Sequence, residues 1–159
     1  MVGVSSQAAP QKRAGERVEG AVIDRVTGLG NVPDAVAQHY DAVAVDLVTP
    51  AHDLPFVGVC LLERGTRVEI KSTIARLASG ARGRFYFRPR QHDALLAVDG
   101  VYALAVCEPK PTRRILALKI VPAVVLDDAL PNWFAGGDGR SDYAQLAWSN
   151  IFAPTEVAR

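Results

Sequence analysis

Apolar residues near the start of the chain recur at helical spacing. In ERVEGAVIDRVTGLG, residues 16–30, this spacing predicts a helix that ends near its two last glycines and has an apolar stripe of Val18, Val22, Ile23, Val26 and Leu29. Glu19 falls on that stripe, and an inward-facing acid needs a partner or a chemical role. Residues 1–13 are small, polar and without periodicity, so we expect a flexible tail there.

The next segments favour β-strands. The stretch 31–50 is ambiguous, and we expect a short helix from Pro33 through about Asp41, followed by a strand in AVAVDLV. FVGVCLLE and RVEIKS, residues 56–63 and 67–72, flank the turn residues RGT and predict a β-hairpin. RFYFRPR, residues 84–90, predicts a further strand that Pro89 ends.

The remaining pattern predicts a helix, two strands and a terminal helix. Pro89 begins a short helix through residue 100 whose inward side chains include Gln91. VYALAVC and RILALKIVPAVVL read as strands, and DYAQLAWSNIF, residues 142–152, as a helix that docks Leu146, Trp148 and Phe152 on the core. We therefore expect a single α/β domain over residues 14–159, with a mixed central β-sheet flanked by helices.

Composition places the chain among ordinary globular proteins. It has 159 residues, of which 49% are hydrophobic and 22% charged, and a formal net charge of +1. Cys60 and Cys107 lie in apolar runs, which favours reduced thiols and a cytoplasmic protein. No run approaches the roughly 20 apolar residues of a membrane span, so we expect no membrane association.

The arginines are concentrated in one segment, RGRFYFRPR, which contains no acid. As a strand it presents Phe85 and Phe87 on one face, and on the other Arg82, Arg84, Tyr86, Arg88 and Arg90. Because the net charge is too small to attract nucleic acid, any such attraction must come from a local cluster like this one. Arginines with an aromatic residue suit phosphates and stacked bases, whereas a solvated sheet face is the plainer interpretation.

The order of chemically notable residues resembles a known family. A helix with inward Glu19, an acid-bearing loop, a hairpin ending in Glu69-Ile70-Lys71 and a helix led by Gln91 follow one another. This series resembles the PD-(D/E)XK nuclease superfamily, particularly its archaeal Holliday junction resolvases, over residues 15 to about 107. The resemblance implies a restriction-endonuclease-like fold, a metal-dependent nuclease acting on DNA, with branched DNA as a candidate substrate, and a homodimer.

The chemistry of phosphodiester hydrolysis suits these residues. A hard cation, Mg²⁺ or Mn²⁺, prefers oxygen ligands, so Glu69, a second acid and the Ile70 carbonyl form a plausible set. Lys71 alternates onto the face of Glu69, where its ammonium can orient the attacking water and offset charge on the phosphate. An exposed ion pair on a solvated strand is the structural alternative.

The second acid is the point where the sequence departs from the family. The predicted hairpin places Cys60 and Gly58 opposite the Glu-x-Lys residues, and neither can bind a hard cation. Asp53 in AHDLPF is the nearest candidate ligand, and Asp46 in VAVDLV is the alternative. If neither reaches the site, the protein is a catalytically inactive module that binds nucleic acid.

Overall fold

The computed structural model describes residues 10–26, 28–33, 40–45, 54–58, 62–130, 133, 134, 136 and 142–157. Its helices are α1 (Pro10–Arg25), α2 (Pro89–Ala97), α3 (Ala123–Ala129) and α4 (Pro154–Val157), with a 3₁₀-helix at Trp148–Asn150. Its strands are β1 (Leu29–Asn31), β2 (Ala42–Ala44), β3 (Arg67–Ile74), β4 (Arg84–Phe87), β5 (Val101–Cys107), β6 (Ile115–Pro122) and β7 (Ala144–Ala147).

The main sheet has five strands in the order β1-β2-β3-β5-β6. β3 and β5 are parallel, while the other neighbouring pairs are antiparallel, so the sheet is mixed. β5 is buried along its whole length, which explains why VYALAVC is a continuous apolar run. The predicted α/β domain with a mixed sheet flanked by helices is confirmed, and it is consistent with a restriction-endonuclease-like fold.

The two faces of the main sheet carry different partners. α1 packs its valines against one face, where Val68 and Ile70 of β3 are buried. The other face lies beneath a two-stranded antiparallel sheet of β4 and β7, which contributes Phe85 and Phe87 to the core. Glu69 lies on this second face because its register partner on β5 is Tyr102, a member of the same core cluster.

Both long helices begin at prolines, whose fixed φ angle suits a first helical turn. α1 begins at Pro10 rather than near Gly15, so residues 10–13 of the predicted tail are helical. α2 begins at Pro89 as predicted, after Arg88 in an extended conformation. At its far end Gly100 donates its N–H to Leu95, and an added Cβ there would collide with the Leu95 side chain.

The predicted hairpin is wrong in its pairing. β3 pairs antiparallel with β2, and none of the described residues of FVGVCLLE, 56–58, 62 and 63, forms a strand with it. Phe56 instead makes a parallel bridge with Leu118 of β6, and the N–H of Val57 donates to the Leu118 carbonyl. Gly58 therefore follows a segment held by β6, and Cys60 lies outside the described residues. The turn RGT was recognised correctly, but the strand that pairs with β3 comes from much earlier in the chain.

Three other segments differ from their predicted structure. The strand after Asp41 is confirmed as β2, whereas residues 34–39 of the preceding predicted helix lie outside the described residues. The strand predicted through residue 126 ends at Pro122, and α3 follows. The predicted terminal helix is wrong: β7 pairs with β4, although Leu146, Trp148 and Phe152 are buried as expected. Within the described part of the chain, no helix is long and apolar enough to span a membrane.

Candidate active site

Glu69 and Lys71 form a largely buried pair on one face of β3. The Glu69 residue is 5% exposed, and its Oε1 lies 3.6 Å from Lys71 Nζ. The ammonium of Lys71 also lies 5.8 Å from the centre of the Phe87 ring. Their alternation on an extended strand was predicted from the sequence, but the interpretation as an exposed ion pair does not fit this burial.

Asp41 is an acid that the fold places beside this pair. Extending the pairing of Ala42 with Val68 by one position places Asp41 beside Glu69 at the edge of β3. Its Oδ2 accepts a hydrogen bond of 2.7 Å from the N–H of Ile70, and its own N–H donates to the Val68 carbonyl at 2.9 Å. Backbone contacts therefore hold the carboxylate against β3.

Sequence reasoning missed Asp41 because it assigned that residue to the end of a helix. An available signal was its position directly before the apolar run AVAV, where it opens a strand. Asp53 and Asp46, the acids chosen instead, lie outside the described residues.

Gln91 of α2 contacts the pair, and Glu19 of α1 acts on it through its charge. From the first turn of α2, Gln91 Nε2 donates a 2.8 Å hydrogen bond to Glu69 Oε1. Glu19 is half-buried on α1, and its negative charge acts on Glu69. The fold thus brings three of the residues singled out from the sequence into contact, Glu69, Lys71 and Gln91, while Glu19 acts on Glu69 through its charge.

The environment of Glu69 disfavours its ionised form. Burial raises the pKa of its carboxyl from 4.5 to about 8; the Lys71 ammonium opposes the rise, and the negative charges of Asp41 and Glu19 add to it. Among the described residues, buried Glu69 Oε2 has no hydrogen-bond partner. An unpartnered oxygen on a buried carboxyl beside Asp41 is a position that a cation would stabilise.

The predicted nucleic-acid-binding residues lie on and beside β4. Arg84 and Tyr86 project from its outer face, whereas Phe85 and Phe87 are buried as predicted. The remaining three arginines, Arg82, Arg88 and Arg90, are exposed at either end of the strand. The Arg82 guanidinium lies 5.3 Å from the centre of the Trp148 ring.

Behind the site, a buried histidine joins α2 to β5 and α3. His92 is 1% exposed; its Nδ1 lies 2.8 Å from the Tyr102 hydroxyl, and its Nε2 lies 2.8 Å from Asp127 Oδ1. Tyr102 and Asp127 thus provide a hydrogen-bond partner for each ring nitrogen of His92. Because Gln91 is the residue before His92, these contacts anchor the turn of α2 that touches Glu69.

Removing the Tyr102 hydroxyl should destabilise the protein. Tyr102→Phe leaves a buried nitrogen of His92 without its partner, so we expect a loss of about 1 to 3 kcal/mol in the free energy of unfolding, measured by urea denaturation. Tyr86→Phe, which removes a hydroxyl from a 59% exposed ring, is the matched control and should change stability by less than about 0.5 kcal/mol. Equal stability of Tyr102→Phe and the parent would contradict a structural role for the hydroxyl.

The mixed sheet of this α/β domain carries Glu69 and Lys71 on β3, with Asp41 before β2 and Gln91 on α2 beside them, and this arrangement is that of a nuclease-type protein. The family model of the PD-(D/E)XK nuclease superfamily domain matches residues 5–153. The chain therefore belongs to the PD-(D/E)XK nuclease superfamily, whose nucleases generally depend on divalent metal ions. The match extends well beyond residue 107, where the resemblance in sequence ended. No curated protein and no solved structure matches the chain significantly.

Proposed function

We propose that this protein is a divalent-metal-dependent nuclease that hydrolyses phosphodiester bonds in DNA, with an active site formed by Asp41, Glu69 and Lys71. The observation that carries the proposal is the buried, unpartnered Glu69 Oε2 beside the anchored Asp41 carboxylate. Family membership supports a nuclease-type function. Asp41 supplies the second acid. The alternative of a catalytically inactive binding module was based on the lack of such an acid beside Glu69 in the predicted hairpin.

The oxygen atoms present fit a hard cation. Asp41 and Glu69 each offer a carboxylate oxygen, and the Ile70 carbonyl faces the edge of β3 where Asp41 lies, because the N–H and C=O of one strand residue point the same way. Within the described ranges, no cluster of three or more His, Cys, Asp or Glu side chains could hold a metal ion. Two carboxylates, a carbonyl and water suit Mg²⁺ or Mn²⁺, which often bind through few protein ligands.

Each residue has a separate role in the proposed chemistry. A bound divalent cation supplies Lewis acidity and promotes ionisation of water. Lys71 orients the attacking water and offsets negative charge that develops on the phosphate. Gln91 holds Glu69 through its 2.8 Å hydrogen bond, and Glu19 adds negative charge on the α1 side.

Asp41→Asn should weaken Mn²⁺ or Mg²⁺ binding at least about tenfold, measured by titration calorimetry. Mutating a residue that only hydrogen-bonds to a metal ligand already weakens metal binding by about that factor, and Asp41 is proposed to be a ligand itself. The amide keeps an oxygen for the Ile70 N–H, so folding should persist. Asp53→Asn is the matched control, because sequence reasoning chose that acid. Parental affinity in Asp41→Asn, with a loss in Asp53→Asn, would move the ligand role to Asp53.

We further propose that the exposed arginines beside β4 contact DNA phosphates. Among the described residues, no ion pair engages Arg82, Arg84, Arg88 or Arg90. If three of them contact phosphates, the slope of log affinity against log salt should be roughly −2 to −3. One Arg→Ala change should reduce that slope by about one, whereas exposed Arg64→Ala, in the turn before β3, should not. Salt-independent binding would contradict these contacts.

The resolvase-like features remain predictions. Comparison of cleavage rates on a four-way junction, a duplex and a single strand would test the preference for branched DNA. Analytical ultracentrifugation would test the homodimer, and cleavage in Mg²⁺ compared with Mn²⁺ would identify the preferred ion. A cytoplasmic location likewise stays a prediction.

A further inference from the structure

A row of aromatic rings crosses the outer face of the small sheet. The ring centres of Tyr86 and Tyr143 are 6.1 Å apart, and those of Tyr143 and Phe134 are 5.8 Å apart. Tyr143 and Phe134 also exchange two backbone hydrogen bonds, of 2.8 and 2.9 Å, which fix them side by side. The outer rings are 59% exposed at Tyr86 and 51% exposed at Phe134. We call Tyr86, Tyr143 and Phe134 the aromatic row.

Positive charge borders the aromatic row. Arg84 and Arg88 lie two residues to either side of Tyr86, roughly 13 Å apart along an extended strand. Continuing the pairing of Phe87 with Ala144 by one position places Arg88 opposite Tyr143. Within the described part of the chain neither arginine has an ion-pair partner, so both guanidinium groups are available to an anion.

We infer that the aromatic row is a binding site for unpaired bases of a nucleic acid strand, with Arg84 and Arg88 holding the flanking phosphates. Exposed rings beside unpaired arginines match the two parts of a single strand, since bases stack on aromatic faces and phosphates bind guanidinium groups. Bases within an intact duplex are stacked on each other and cannot reach the rings.

The β-strand that carries Tyr86 of the aromatic row, β4, leads directly to the candidate active site. Phe87, the residue after Tyr86, lies beneath the Lys71 ammonium, and Gln91 a turn later contacts Glu69. Arg88 and Arg90 lie between these contacts and are exposed. A nucleic acid strand bound to the aromatic row can therefore run along these arginines toward Glu69. This inference rests on the proposed nuclease function, and it adds that the substrate has a single-stranded segment near the cleaved bond.

The test measures binding in EDTA by fluorescence anisotropy, so that cleavage does not intervene. The probes are a labelled oligothymidylate of about 15 nucleotides, an abasic oligonucleotide of equal length and a blunt duplex. Tyr143→Ala should weaken oligothymidylate binding about 5- to 100-fold and leave the salt slope unchanged, because stacking releases no counterion. Tyr143→Phe should retain parental affinity, and Tyr86→Ala provides a second test on a more exposed ring.

The abasic probe carries the same phosphates without bases, so it should bind the parent and Tyr143→Ala equally. The inference is overturned if the parent binds abasic and thymidylate probes with equal affinity, or if Tyr143→Ala changes the oligomeric state and not the affinity. Failure of the nuclease proposal would be seen separately, as absence of metal-dependent cleavage with base-dependent binding intact. If only the inference about the aromatic row is wrong, the parent should still cleave DNA, and Tyr143→Ala and Tyr86→Ala should both bind oligothymidylate with parental affinity.

Discussion

Lys71→Ala should lower the rate of DNA cleavage by about a hundredfold to a thousandfold, the usual cost of removing one group that stabilises developing charge in a transition state. Lys71 lies 3.6 Å from Glu69 Oε1 and is the cation beside the proposed ligands. Its loss should leave DNA binding nearly unchanged, since the exposed arginines supply the phosphate contacts. Single-turnover cleavage of a labelled DNA at saturating protein separates the two effects.

Lys119→Ala is a matched control for this change. Lys119 Nζ lies 5.9 Å from the centre of the Phe152 ring, much as Lys71 Nζ lies 5.8 Å from that of Phe87. Its ammonium donates to the Ile151 carbonyl and not to a carboxylate. Lys119→Ala should therefore reproduce the loss of packing while cleavage continues. Comparable cleavage by Lys71→Ala and the parent would remove Lys71 from the proposed chemistry.

Glu69→Gln should stabilise the metal-free protein at alkaline pH, by an amount on the order of 5 kcal/mol. The pKa of Glu69 rises from 4.5 to about 8 in the folded protein, mainly through burial. Between those pH values the folded chain keeps a proton that the unfolded chain releases, so the stability of the parent falls as pH rises and levels off above about pH 8. Below about pH 4.5 the acid is protonated in both states and contributes no difference.

The measurement is the free energy of unfolding in urea, in EDTA, for parent and variant from pH 4 to pH 9. The difference between the two curves isolates Glu69, because the other titrating groups are common to both proteins. Glu16→Gln, at an exposed position on α1, controls for the change in net charge. Parallel curves for Glu69→Gln and the parent would show that burial does not destabilise the Glu69 carboxylate.

Local patterns predicted the elements that carry Glu69, Lys71 and Gln91. The alternation in RVEIKS identifies β3, and Pro89 marks the start of α2. The helical spacing around Glu19 identifies α1, and the arginine segment identifies β4. Each of these signals lies within a few residues of sequence, where helix and strand periods differ clearly.

Long-range pairing could not be predicted in the same way. β2 has three residues and pairs with β3 across a connection of more than 20 residues, so the nearer apolar run FVGVCLLE was the more plausible hairpin partner. That error hid Asp41, whose place beside Glu69 depends on the β2-β3 register. The segment around Leu146 and Trp148 is short and apolar, and only its pairing with β4 decides that it is a strand.

The most direct test of the proposed site is a cleavage assay with parent, Asp41→Asn and Glu69→Gln proteins. Plasmid, single-stranded and four-way-junction DNA are incubated with each protein in Mg²⁺, in Mn²⁺ and in EDTA. We expect the parent to cut at least one of these substrates only when a divalent ion is present, and both variants to lose that activity while remaining folded. No cleavage by the parent on any substrate, or cleavage that persists in both variants, would contradict a nuclease site built on Asp41 and Glu69.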